Sequence, residues 1–271
     1  MHQAIIPRTF WLQGADSQSH NSRSPNPISS PFSFIGTAWA FARKQPALKG
    51  VGLWFFLIPG ALMNMLTTVM EWNKEAGFMG FTDAQQHMFT LIIVIATVLL
   101  VVIMLWGAAC VLLVGKKLVH SPAGRNRTSL AAVAREGRFF IVPLLLTGIL
   151  RSCIGLLWSL LLIVPGIIYA IRTTFYTIII VAEDISYRAA LRQSIVLVRG
   201  HTWQVLWRLA VIFTVIYGPP NLLATLGYWV VGAYETGMLV MDAVDAALNA
   251  PATIIALLAS VALYEELKSK A

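Results

Sequence analysis

The chain has 271 residues, of which 58% are hydrophobic and 12% charged, against roughly 25% charged in an ordinary soluble domain. So few charges cannot cover a soluble surface of this size, which excludes a soluble globular protein and predicts one integral membrane domain. Lys and Arg outnumber Asp and Glu by 20 to 12, a net charge of +8.

Taken in chain order, residues 1–32 form a polar tail: "GADSQSHNSRSPNPISSP" (14–31) has almost nothing to bury and so cannot offset the entropy of ordering. It has no apolar core of the secretory-signal kind, so the membrane helices are expected to direct insertion. The membrane domain is assigned to 33–271. A spanning helix needs about 20 mostly apolar residues, and runs of that kind place spans at about 51–70, 89–115, 139–160, 164–182, 209–232 and 246–264. The stretch 139–182 is interrupted only by Arg151 and Arg172. It is too long for one span, and the turn between its two spans is expected at "VPG" (164–166). Pro219 and Pro220 should bend or end the fifth span.

The loops support this count. Residues 116–138 contain Lys116, Lys117, Arg125, Arg127, Arg135 and Arg138, and residues 183–208 contain Arg188, Arg192, Arg199 and Arg208. The loop 71–88 has Lys74 against Glu71, Glu75 and Asp83, and 233–245 has Glu235, Asp242 and Asp245 with no base. Basic loops stay cytoplasmic, so the basic pair is expected inside, the acidic pair outside and both termini inside. The positive charge is then a cytoplasmic face that meets anionic lipid headgroups, and nucleic acid is not an expected partner.

Three short amphipathic stretches precede the hairpins: 31–44, 128–138 and 185–200. In the last, Ser186 is the expected N-cap and Gly200 the end. Leu191, Ile195 and Val198 share one face and Arg188 and Arg192 another, a pattern suited to the headgroup layer. The expected fold is therefore all-α: six transmembrane helices in three hairpins, each introduced by an interfacial helix.

The run "LLLIVPGIIYAIRTTFYTIIIVAEDISYRAALRQSIVLVRGHTWQVL" (160–206) resembles a bacterial family described as the membrane domain of glycerophosphoryl diester phosphodiesterase, and is similar to YciC-like inner-membrane proteins. Pro165, Gly166, Arg172, Phe175, Glu183, Ala190, Leu191, Ser194, Leu197, Gly200 and Trp203 carry it, as does the ending "ALYEELKSK" (262–270). The resemblance implies a six-helix module of the bacterial inner membrane. The chain has no room for the soluble phosphodiesterase domain fused to some relatives, so that activity is not carried over.

Arg151 and Arg172 lie near mid-depth on neighbouring spans, and a charge there must face protein or a polar crevice. With Thr173, Thr174 and Tyr176 as donors they form either an anion or lipid-phosphate site or a purely structural one. Arg188, Arg192 and Arg199 present a basic interfacial face. Ser194 has no His or Asp at useful spacing, and its small size suits close packing on the bundle; Gly200 and Trp203 complete the motif. Trp54, Trp72, Trp203, Trp207 and Trp229 sit toward span ends, as interfacial aromatics do. Cys110 and Cys153 lie inside apolar runs, and His87, His120 and His201 are far apart. No catalytic set, metal site or cofactor is expected. The expected function is non-enzymatic organisation of lipids or membrane-protein partners. The alternative is a transporter or channel for an anionic or lipid-like substrate.

Overall fold

A computed structural model of the protein describes residues 29–76, 82–120, 129–231 and 234–270. The tail up to residue 28, Arg125 and Arg127, and the side chains of Lys74, Glu75, Asp83, Lys117, His120 and Glu235 lie outside the described residues. Among the described residues every regular element is a helix: α1 (Pro31–Lys44), α2 (Pro46–Val51), a π-helical turn (Gly52–Leu57), α3 (Ile58–Ala76), α4 (Asp83–His120), α5 (Leu130–Gly137), a 3-10 turn (Arg138–Phe140), α6 (Ile141–Leu161), α7 (Ile163–Arg172), α8 (Tyr176–Glu183), α9 (Tyr187–Val198), α10 (Thr202–Val231) and α11 (Glu235–Lys268). Six stretches are long and apolar enough to cross a membrane: Pro46–Asn73, Ala84–Lys116, Leu130–Leu160, Ile163–Glu183, Thr202–Val231 and Thr236–Lys268. The chain is an all-α multi-pass membrane protein.

The last helix is the axis of the fold. α11 packs against α10, α3, α1, α4 and the π-helical turn, and Ala256, Leu258, Ala259, Leu263 and Tyr264 along it are buried. Register follows from close approaches. Gly52 lies beside Ile254 and Gly60 beside Ala246, so α3 runs antiparallel to α11; Gly107 sits against Phe55 of that antiparallel segment while Gly115 meets Leu258 and Val261, so α4 runs parallel to α11. α1 also runs antiparallel along α11: the Ser29 N–H just before it donates to Glu266 Oε1 at 2.7 Å, while Trp39, Ala42 and Arg43 reach Pro251 and Ile254. Both described chain ends therefore meet at one end of the bundle, called here the terminal end.

The first span is widened by its own proline. Pro59 has no N–H to offer the Phe55 carbonyl, and the Ile58 N–H instead reaches back five residues to Leu53. The turn carries Phe55 against Trp106 of α4, with ring centroids 5.0 Å apart at 70°. Only glycine fits opposite, since a Cβ on Gly107 would lie 2.5 Å from the Phe55 Cβ.

Several expectations are corrected. The loop 233–245 is helix from Glu235 onward, and Asp242 is buried at 3% exposure. Its charges had marked it as external, yet the helix extends past them because α3 and α10 supply hydrogen-bond partners. The turn between the third and fourth spans falls at Leu162 (φ −159, ψ 130), not at 164–166. Pro165 sits in the first turn of α7, where its missing N–H costs nothing. Gly166 allows α6 to cross closely, since a Cβ there would be 3.1 Å from the Ser159 Cα. α10 runs through Pro219 and Pro220, so of the two outcomes expected there, a bend or an end, the end is the one that fails. The fourth span is broken at Thr173–Phe175, directly after Arg172.

Candidate functional site

Polar side chains concentrate at three levels of the bundle. At the terminal end, Glu183 at the close of α8 is the common acceptor of a four-residue knot. Its Oε1 accepts from the Tyr264 hydroxyl at 2.5 Å and from Lys268 Nζ at 2.6 Å, and its Oε2 accepts from Gln193 of α9. The knot ties α8, α9 and α11 together. The Thr147 hydroxyl of α6 adds a tie by accepting from the Tyr187 N–H at 3.0 Å.

At mid-level is the broken fourth span. Arg151 of α6 donates through Nε to Thr173 Oγ1 at 2.9 Å and through Nη2 to the Ala170 carbonyl at 3.1 Å. Its guanidinium lies 5.3 Å from the centre of the Tyr176 ring. Thr174 turns back to the Ala170 carbonyl at 2.9 Å. Of the candidates named from sequence, Arg151, Thr173 and Tyr176 therefore converge on one spot. Arg172 does not join them, and its Nε is buried without a hydrogen-bond partner among the described residues.

Ser194 of α9 holds the break in place. Its hydroxyl donates to the Arg172 carbonyl at 2.8 Å and accepts from the Phe175 N–H at 3.3 Å. Those are a carbonyl and an amide freed when the helix stops, and a buried amide must find a partner. Small size alone does not account for this serine.

α9 itself differs from expectation in what it covers. Leu191, Ser194 and Val198 are buried against α6, α7, α8 and α11, so this face meets protein where lipid was expected. Ser186 is at the N-cap position but makes no capping bond through its side chain. Arg188, Arg192 and Arg199 point outward and are exposed. Gly200 takes φ +89, a left-handed conformation that favours glycine, as the chain turns into α10. Trp203 on the first turn of α10 is 78% exposed.

Sequence reasoning missed the third level, at the end of the bundle away from the termini. Asp242 Oδ2 accepts from Thr68 Oγ1 at 2.9 Å and its Oδ1 from the Tyr228 hydroxyl at 2.6 Å. Asp245 accepts from Asn64 at 3.0 Å and from Asn249 at 2.8 Å. Helices α3, α10 and α11 thus share a carboxylate–amide–hydroxyl cluster inside the spans. The available signal was spacing: Asn64 and Thr68 are four apart, and Asp242, Asp245 and Asn249 fall at i, i+3 and i+7, each set on one helical face.

Comparison with protein-family models, curated proteins and solved structures gives no match to this chain.

Proposed function

We propose that the protein is a non-enzymatic organiser of anionic lipid in a bacterial inner membrane, with both termini and the α9 face on the cytoplasmic side. The observation that carries this reading is the two-sided character of α9. Its inner face is fastened to the bundle by Ser194 and the Glu183 knot, while Arg188, Arg192 and Arg199 are held outward on a rigid support. A basic surface of this kind attracts anionic headgroups with about 1 kcal/mol per Lys or Arg. The resemblance to the YciC-like family belongs to the same proposal. What supports it is that its two quoted stretches meet, Glu183 of one accepting from Tyr264 and Lys268 of the other.

The test uses vesicles containing either brominated phosphatidylglycerol or brominated phosphatidylcholine, with quenching of the exposed interfacial tryptophans as the readout. The anionic lipid should quench more strongly, and an Arg188→Gln, Arg192→Gln, Arg199→Gln variant should lose that preference. Equal quenching of the native protein by both lipids would defeat the proposal.

The discontinuity between α7 and α8 favours a second reading, a transporter of an anionic or lipid-like substrate. Interrupted spans flank substrate sites in many transporters, and Arg172 lies at the interruption. Net transfer of labelled phosphatidylglycerol between leaflets of the same vesicles, lost in Arg172→Ala, would favour transport over organisation.

A further inference from the structure

From a groove where the first helices meet α11, we infer a specific binding site for one anionic phospholipid. This deepens the organiser reading and rests on it. The groove holds about 320 Å³, within the roughly 300–1,000 Å³ usual for ligand cavities. One wall is Gly52, Leu53 and Leu57 of the widened first span; the other is Pro251 and Ile254 of α11; Trp39 of α1 closes the side. This lining is apolar, as an acyl chain requires. A π-helical turn forms one wall and a proline within a helix the other, and such irregularities recur where helices make room for a ligand.

The mouth supplies the charge. Arg43 and Lys49 line the groove and are exposed, and Lys49 is three residues from the start of the Pro46–Asn73 span. Leu57 lies eight residues further in, roughly 12 Å at helical rise. A lipid phosphate at the mouth therefore places its chain along the groove. The Arg43 guanidinium stacks over Trp39 with its carbon 5.3 Å from the ring centre, which fixes its position and leaves the in-plane N–H donors for phosphate oxygens. A second apolar groove, between α1, α10 and α11, shares Trp39, Pro251 and Ile255 with the first and takes the second chain. A cationic mouth leading into an apolar groove within a membrane span matches a phospholipid and not a soluble anion.

Native mass spectrometry of the full chain, released from detergent after incubation with dioleoyl phosphatidylglycerol or dioleoyl phosphatidylcholine, tests this. The native protein should retain one phosphatidylglycerol in preference to phosphatidylcholine. Retention should fall about fivefold for each charge removed in Arg43→Gln and Lys49→Gln. Leu53→Trp, which fills the groove from its lipid-exposed side, should abolish retention with an unchanged melting temperature. Retention unaltered in all three variants would overturn the site. Retention lost only in the Arg188, Arg192, Arg199 variant would also overturn it, while leaving the organiser reading intact. No preference between the two lipids, together with equal quenching in vesicles, would remove both. A dimer that Leu53→Trp dissociates would assign the groove to a second copy of the chain and overturn the lipid site.

Discussion

Asp242 is a buried carboxylate within the last span. It is 3% exposed, and both its oxygens accept hydrogen bonds, from Thr68 and Tyr228, helices before it in the chain. Hydrogen bonds between membrane helices average about 0.6 kcal/mol each, because the separated helices find other partners. Asp242→Ala should therefore cost roughly 1–2 kcal/mol, counting two such bonds and a small cavity. Asp242→Asn, which keeps the shape and an acceptor for Tyr228, should cost less than half as much. Thermal unfolding in detergent measures both. If the two substitutions cost the same, the hydrogen bonds do not hold these helices together. This residue was misread in the sequence for a definable reason. A carboxylate near a span end reads as a loop when charges alone are counted, and its partners lie 174 and 14 residues away.

At the scale of elements, the apolar runs and the three short amphipathic helices before the hairpins are legible, since length and hydrophobic pattern are local properties. The interruption of the fourth span is not. Thr173, Thr174 and Phe175 contain neither glycine nor proline, and the group that stabilises the break, Ser194, comes from another helix 19 residues beyond Phe175. Proline and glycine were in turn given too much weight at 164–166, where they begin a helix. Because the Phe175 amide is buried, Ser194→Ala should leave it without a partner at a cost of about 1–3 kcal/mol. Amide exchange at 173–176 should accelerate while the α11 core stays protected. Exchange unchanged at these positions would show that the broken segment is held by packing alone.

Across the whole molecule, the property with the most consequences is the sidedness proposed above, which rests on the distribution of charge between the loops. With the exposed Cys153 replaced by Ser, a cysteine at Tyr234 should react with a membrane-impermeant maleimide in intact cells. One at Arg199 should react only after permeabilisation. Labelling of Arg199→Cys from outside would overturn the proposed orientation, with the basic α9 face then outside the cytoplasm. The joining of distant motif pieces at Glu183 was out of reach of sequence reading. Tyr264 is 81 residues away, and no local pattern records such a meeting.

The position of α11 as axis also determines when the bundle can close. It is the sixth of the six spans to be synthesised, yet α1, α3, α4 and α10, all made before it, pack against it. The five earlier spans enter the bilayer before that partner exists, with Asn64, Thr68 and Tyr228 awaiting the carboxylates of Asp242 and Asp245. Closure of the six-span bundle therefore waits for residues 235–268, and a chain stalled before residue 235 leaves those polar groups in the membrane without the carboxylates they bond.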